Sequence, residues 1–411
     1  MGKPPIGRVT FLLVTWMGYV AFYLCRRNLS IILPVFAHDR IYTASQSAEL
    51  VLIFSIAYCL GQFVMGGLAD RIGGRNVVVG GMVVSALVTA AMGFSSDFAE
   101  VVACQVVNGV AQATGWAGLM KMMKQQPMQR RGIVMGWWST NYVAGGFVAT
   151  VLATYALASS WISGDSWRKA AWLPALALFA FAGLFWFFTR NVESPANRSI
   201  QTHRISYVSV VRLAFLTMRT RALIGAYFFV KLIRYSLLFW LPLYMTSHLQ
   251  MTPTHAGYAS SRLEGYGIAG VLGAGYLSDI LFKARRFPVA ALLMFLLAII
   301  CVFASHLGLE SSDWRIGVVI ALLGFMIYGA DTILVGAATQ DAARLEHMGT
   351  LAGVVDGAGS LGQVLSPLLI VFVSERFGWP SVFQALAMAA VACSILLVSS
   401  VRLERGDPEV V

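Results

Sequence analysis

Charge is what this chain lacks most. Only 12% of its 411 residues are Asp, Glu, Lys or Arg, against about a quarter in ordinary soluble domains. Acidic residues are the scarcer sign, 19 against 30 basic ones. Cysteine is also rare. Cys25, Cys59, Cys104, Cys301 and Cys393 lie in apolar stretches at no paired or ligand-like spacing, which argues against a disulfide framework or a thiolate metal centre and for small buried hydrophobes. No His/Cys/carboxylate cluster has metal-ligand spacing, and no phosphate-cradling glycine loop or nucleophile elbow occurs. No cofactor, metal or covalent chemistry is therefore expected, and no enzyme.

What the chain has instead is apolar length. Hydrophobic residues make up 58% of it, and the mean hydropathy is +0.72. A hydrocarbon core about 30 Å thick needs about 20 apolar residues per helical crossing. Runs of that length fall at 9–36, 45–67, 76–95, 98–124, 131–159, 169–189, 221–247, 254–281, 287–306, 314–342, 348–374 and 380–401. The pattern predicts an all-α membrane protein with twelve transmembrane helices. The first run is longer than a signal-peptide core and lacks a small-residue cleavage site, so it reads as a retained helix.

The net charge of +11 is a matter of topology rather than of an acidic partner. With the N-terminus in the cytoplasm, only Arg40, Arg168, Lys169, Arg315 and Arg376 fall on the outer side. Arg26, Arg27, Lys231, Arg234 and Arg262 fall within the membrane, and the other 20 of the 30 basic residues are cytoplasmic. Such a bias is the positive-inside pattern. It makes the lipid bilayer the partner and predicts no nucleic-acid binding.

The second half of the chain echoes the first. GGLADRIGGR (66–75) returns as GYLSDILFKAR (275–285), with Asp70 and Asp279 offset by 209 residues, as are Gly61 and Gly270. GIVMGWWSTNYVAG (132–145) returns as GTLAGVVDGAGSLG (349–362) at an offset of 217. Repeats of this kind mark transporters whose substrate sites lie near the midplane. The organisation read from it is a six-helix bundle over 1–190, a basic cytoplasmic linker over 191–219 and a second six-helix bundle over 220–411. The twice-repeated glycines let helix ends approach closely, and Asp70 and Asp279 are suited to accept from helix N-termini or arginines. Both read as a latch that forms and breaks at a gate.

Two arginines stand inside apolar helices at matching places in the repeat, Arg26 in FYLCRRNLSIILP and Arg234 in VKLIRYSLLFWLP, 208 residues apart. A charge at mid-bilayer costs ~2.5–3.5 kcal/mol even on the lenient insertion scale. It persists where it faces a wet cavity or a partner, and two fixed positive charges suit a dianion. Guanidinium adds a planar fork of donors that matches phosphate oxygens and stays charged when desolvated.

The repeated G-x-L-[AS]-D loops resemble the major facilitator superfamily. SIAYCLGQFVMGGLADR, NGVAQATGWAG, VKLIRYSLLFWLPLYM, LEGYGIAG and GFMIYG, with the Arg26 segment, resemble the organophosphate:phosphate antiporters over essentially the whole chain. The resemblance implies the major facilitator fold, two pseudo-symmetric six-helix bundles, and a phosphoryl group clamped by Arg26 and Arg234. It further implies tyrosines around that group, here Tyr19, Tyr23, Tyr58 and Tyr328, and a carboxylate, Glu264, that pairs with Arg234 when the site is empty. Arg27 points about 100° away from Arg26 and is expected in a structural ion pair, although the family's acid for it is replaced by Phe239.

Other departures bear on the substrate. Gln62 stands where the glycerol-3-phosphate branch has a lysine, Asn141 where it has a histidine, and Lys231 where it has a tyrosine. Lys231 and Arg234, at i and i+3, share a helix face. Asp331 and Asp356 add intramembrane carboxylates, read first as ion-pair partners of Lys231 or Arg262, and alternatively as receptors for a cationic substrate group or a proton. The expected function is a secondary transporter exchanging a phosphorylated metabolite for inorganic phosphate, a monomer in the bacterial cytoplasmic membrane with both termini inside. The alternatives are a sugar-phosphate receptor and a proton-coupled carrier of another organic anion.

Overall fold

The computed structural model describes residues 7–38, 41–125, 131–159, 166–190, 207–251, 253–308, 313–342 and 347–402. Among them are twelve long helices and no strand. The first six are α1 (Arg8–His38), α2 (Ala44–Ile72), α3 (Gly74–Met92), α4 (Phe98–Lys124), α5 (Arg131–Ala158) and α6 (Ser166–Thr189). The second six are α7 (Met218–Ser247), α8 (Pro253–Tyr276), α9 (Arg286–Ser305), α10 (Asp313–Asp331), α11 (Met348–Phe377) and α12 (Trp379–Ser399). Each of the twelve apolar runs coincides with one helix. Most of 191–219 lies outside the described residues, but Tyr207–Leu216 within it is a short helix.

The helix ends follow local chemistry. Thr43 opens α2 with a reciprocal capping box: its hydroxyl accepts from the Gln46 N–H at 3.2 Å, while the Gln46 side chain accepts from the Thr43 N–H at 2.9 Å. A single glycine, Gly73 at φ 91°, separates α2 from α3, a backbone angle that L side chains rarely adopt. The repeat has no glycine there. The link from α8 to α9 runs instead through Lys283 at φ 50° and Ala284 at φ 63°, a conformation that costs ordinary residues about 1–2 kcal/mol each.

Two helices depart from a uniform α path. A π-helical turn, Leu277–Leu281, continues α8 and carries Asp279. A longer one, Thr332–Ala338, continues α10 directly after Asp331 and is followed by Thr339–Ala342. The hydroxyl of Thr339 bonds the Leu334 carbonyl, five residues back, at 2.8 Å. Hydropathy reads 314–342 as one continuous helix and carries no sign of this change of register. Such π segments are concentrated at functional sites.

The described residues fall into two compact units. The first holds α1–α4, α5 from Ala144, α6, and α11 up to Gly357. The second holds α5 up to Val143, α7–α10, α11 from Ala358, and α12. At one end of the first unit, Phe36 of α1 packs edge-on against Trp167 of α6 at 5.1 Å and Tyr42 at 4.8 Å, above buried Leu29, Ile32 and Leu50. This cluster anchors the helix that carries Arg26.

Between helices the contacts are made by small residues, as expected where lipid removes the hydrophobic contrast. A Cβ on Gly61 would stand 3.0 Å from the Ala113 Cβ, and one on Gly109 would stand 2.7 Å from the Phe54 carbonyl, so α2 and α4 meet backbone to backbone. The repeat does the same with α8 and α10, where the Phe325 backbone lies against Gly270. Eight helices (α1–α3, α6 and α9–α12) are long and apolar enough to cross a membrane on composition alone. Three of the other four draw polar residues inward: Gln105, Asn108, Gln112 and Lys121 of α4, Asn141 of α5, and Lys231 and Arg234 of α7 are all buried.

Candidate functional site

In the first unit α1 places Tyr19, Tyr23 and Arg26 along one face. The rings of Tyr19 and Tyr23 stand 5.7 Å apart, and Tyr19 meets Trp116 of α4 edge-on at 5.2 Å. The Arg26 guanidinium lies over two rings, 4.0 Å from the centroid of Tyr58 and 5.3 Å from that of Tyr23. One turn beyond Tyr58 on α2, the buried Gln62 amide donates to Asp356 of α11, and the Tyr58 hydroxyl reaches the same carboxylate at 3.5 Å. The guanidinium carbon is held over tyrosine rings, and a guanidinium carries its N–H donors as a planar fork, the chemistry that suits recognition of an oxyanion.

The segment of α1 around Arg26 is gripped from behind by amides that sequence reasoning passed over. Asn108 Nδ2 donates to the Cys25 carbonyl at 2.9 Å, and Gln112 Nε2 donates to the Phe22 carbonyl at 3.0 Å. Ser85 of α3 ties the two together, donating to Asn108 Oδ1 at 2.7 Å and accepting from Gln112 Nε2 at 2.8 Å. All three side chains are buried. The phrase NGVAQATGWAG contains both amides at i and i+4, which is the available signal. Replacing Asn108 and Gln112 together by leucine removes all four bonds and is expected to cost about 2–7 kcal/mol of stability, at ~0.6–1.7 kcal/mol per intramembrane bond, and to weaken anion binding at Arg26. A thermal melt paired with a phosphate-binding isotherm checks this; unchanged phosphate affinity in a folded variant would show that the clasp does not position Arg26.

In the second unit, Arg234 of α7 donates through Nη1 to Asp331 Oδ2 at 3.0 Å, with both side chains buried. Its guanidinium lies 4.6 Å from the ring centroid of Tyr142 and 4.8 Å from that of Tyr328. Those two rings stack on each other at 5.9 Å, and the Tyr142 hydroxyl shares a hydrogen bond with Thr332 at 3.1 Å. Lys231, one turn before Arg234, donates to Ser360 of α11 at 2.9 Å and lies 5.4 Å from the Tyr227 centroid. Asn141, beside Tyr142 on α5, is fully buried, and neither of its amide atoms has a hydrogen-bond partner among the described residues.

These partners differ from those read off the sequence. Among the described residues the ion pair of Arg234 is with Asp331, not Glu264, which lies half-buried on α8. Asp331 correspondingly goes to Arg234 rather than to Lys231 or Arg262. The cause is helical phase: Asp331 stands three residues after Tyr328, on the face of α10 that already covers Arg234. Arg262 is exposed, with its guanidinium against Gly317. Arg27 is half-buried beside Arg26, and the Phe239 side chain lies outside the described residues. Tyr142, Thr332, Ser360 and Trp116 were not singled out in the sequence; only their adjacency to chosen residues or motifs marked them.

The repeated aspartates occupy equivalent positions. Asp70 accepts from the backbone N–H groups of Gly349 at 3.0 Å and Thr350 at 2.6 Å, the first turn of α11, and pairs with Lys121 at 2.9 Å. Asp279 accepts from the Ile133 N–H at 2.9 Å in the first turn of α5 and pairs with Arg286 at 2.5 Å, which also reaches Asp341 at 2.8 Å. Each carboxylate thus sits at a helix N-terminus, where unsatisfied N–H groups and the dipole favour negative charge. Glycines permit the approach: a Cβ on Gly349 would stand 2.7 Å from the Gly66 carbonyl, and one on Gly136 would stand 2.9 Å from the Val271 carbonyl.

The family model of the Major Facilitator Superfamily matches residues 15–367 and 265–410. The glucose-6-phosphate exchanger of Xenopus laevis is 25% identical over 408 residues, covering 85% of this chain and 79% of the exchanger. The phosphoglycerate transporter protein of Salmonella typhimurium is 27% identical over 427 residues, covering 95% and 88%. The crystal structure of the E. coli fucose:proton symporter superposes with a TM-score of 0.75 at 13% identity, over 95% of this chain and 98% of the symporter, a likeness of fold. Members of the superfamily whose model matches span the membrane many times and are transporters rather than enzymes, so the chain is a multi-pass integral membrane protein. It belongs to the Major Facilitator Superfamily, and its relatives are those of the organophosphate:phosphate antiporter family that its motifs resemble.

Proposed function

We propose that this protein is a secondary active transporter that carries a phosphorylated small metabolite across the membrane in exchange for inorganic phosphate. The observation that carries the reading is the pair of arginines at repeat-related positions, Arg26 and Arg234, each seated against tyrosine rings inside an apolar helix. A phosphate monoester carries about −1.5 to −2 charges near neutrality, so two guanidinium groups nearly neutralise it. Relatives named for glucose-6-phosphate exchange and phosphoglycerate transport support the substrate class.

In this reading transport runs by alternating access between the two six-helix halves, 1–190 and 220–411. Tyr19, Tyr23, Tyr58, Tyr328, Gln62, Asn141 and Lys231 line the substrate's path, and the Asp70 and Asp279 helix caps are the latches that open and re-form. Buried charge is costly to move without a counter-ion, and in this reading the bound anion lowers that cost and so couples movement to exchange. The positive-inside bias of the sequence supports a reading with both termini in the cytoplasm, and in that reading the protein acts as a monomer in a bacterial cytoplasmic membrane.

The buried Asp331–Arg234 pair favours one competing reading, proton-coupled transport of another organic anion. Liposomes carrying the purified protein and loaded with phosphate separate the two. Uptake of labelled phosphate against internal phosphate, independent of a pH gradient, is the expected result. Uptake that requires a pH gradient and ignores internal phosphate would replace exchange with proton coupling, and silence under both conditions would leave a receptor.

A further inference from the structure

An open groove of about 730 Å³ lies on the second unit between α9 and α12, within the range of about 300–1,000 Å³ usual for ligand sites. Its floor is made of small residues. Ala291 and Ser394 are both buried, and the Ser394 hydroxyl donates to the Ala291 carbonyl at 2.9 Å. Its sides are apolar: Leu292 and Phe295 of α9 and Val398 of α12 line it and are exposed. Lys283 and Arg285, on the link that leads into α9, give it one basic end.

That basic end is ordered by its backbone but uncommitted in its side chains. The Ala284 N–H donates to the Ser278 carbonyl at 2.8 Å, and the Arg285 N–H donates to the Phe282 carbonyl at 3.0 Å. The next residue, Arg286, is fully engaged by Ser278, Asp279 and Asp341. Lys283 and Arg285 differ from it. Both are exposed, and among the described residues neither side chain has a hydrogen-bond or ion-pair partner. No acid is among the described residues that line the groove, so its positive charge is open to an anion.

Depth selects the anion. Both flanking helices are long and apolar enough to cross a membrane, so the apolar sides stand where lipid chains lie. From Arg285 to Phe295 the chain rises about 15 Å, half of a hydrocarbon core about 30 Å thick, which is one leaflet. A free phosphate would meet the basic end and leave the apolar sides unused. We propose that the groove binds one anionic phospholipid, its phosphodiester at Lys283 and Arg285 and an acyl chain along Leu292, Phe295 and Val398. Basic pockets between transmembrane helices take headgroups of this kind. The site shares no residue with the anion site around Arg26 and Arg234 and does not depend on the exchange reading.

The test is native mass spectrometry of the full-length protein with phosphatidylglycerol and phosphatidylcholine of identical acyl chains. Phosphatidylglycerol is expected to bind about tenfold to thirtyfold tighter, the effect of two basic residues near a membrane surface. Lys283→Gln with Arg285→Gln is expected to remove that preference. Arg8→Gln with Arg212→Gln, exposed basic residues outside the groove, is expected to keep it. Leu292→Trp fills the groove without changing its charge and is expected to weaken phosphatidylglycerol, which keeps the test decisive should the first double variant not fold. No preference in the unaltered protein, equal loss in the two double variants, or unchanged binding to a folded Leu292→Trp variant overturns the inference. Displacement of the lipid by glycerol phosphate would make the ligand a soluble phosphate and overturns it too. Lipid that binds only once residues 403–411 are removed would make that tail, with Glu404, Asp407 and Glu409, the occupant instead.

Discussion

Lysine in place of Arg234 is expected to bring phosphate exchange to background while the protein still inserts and folds, and lysine in place of Arg26 is expected to do the same. The reason differs at the two sites. Arg234 uses one edge of its guanidinium for Asp331 through Nη1, and its Nε has no hydrogen-bond partner among the described residues. A lysine ammonium is a point charge and cannot hold the carboxylate and fork an oxyanion at once. Arg26 lies over the rings of Tyr58 and Tyr23; an ammonium is also attracted to a ring face, but it lacks the planar group that lies on the rings and still presents a rigid fork of donors. Each lost charge-assisted bond is worth about 1.5–3 kcal/mol, and a fork has two. Counterflow of labelled phosphate, with size-exclusion chromatography and a melting curve on the same preparations, is the measurement. Exchange at a near-normal rate by either variant would remove that arginine from the anion site.

The second large effect is expected from Gly353→Val. A Cβ at this position would overlap the Gln62 carbonyl oxygen, and that atom belongs to the α2 backbone, so the whole helix must give way. Overpacking of this kind costs typically about 1–3 kcal/mol. Three interactions share the contact: Asp70 capping Gly349 and Thr350, Gln62 donating to Asp356, and the Cys59 thiol donating to the Gly357 carbonyl at 3.4 Å. Separation of the first turns of α11 from α2 breaks all three. In a background where Cys59 is the sole thiol, the substitution is expected to raise its maleimide labelling rate by about tenfold, in line with that cost, and to stop transport. Gly136→Val should do the same to transport from the α8–α5 side, where the added carbon meets the Val271 carbonyl. If Cys59 labels no faster and transport persists, the glycine contact is not part of the gate.

The sequence by itself determined the twelve helices, the repeat, and the faces within each helix. Helix formation across a bilayer is a local property, since every backbone group must be satisfied within its own segment. The run read at 9–36 accordingly became Arg8–His38, and that at 98–124 became Phe98–Lys124. The periodicity of 3.6 residues put Tyr19, Tyr23 and Arg26 on one side and Lys231 with Arg234 on another before any packing was known.

The tertiary structure decided which groups meet across helices. Asp331 taking Arg234, Asp356 taking Gln62, and the amides of Asn108 and Gln112 seizing the carbonyls of α1 depend on how each helix is rotated and slid against its neighbour. Two carboxylates of the same residue type, both in apolar helices, acquired different partners for that reason alone. The π-helical turn after Asp331 belongs to the same class of fact, because a change of backbone register leaves no mark on hydropathy. The twice-repeated latch lies between the two. Its aspartates and glycines are legible as a pattern, but the helix N-termini they meet lie far off in the chain, 279 residues from Asp70 and 146 from Asp279. No local rule spans such separations; only the packed backbone, brought close where glycine permits it, decides them.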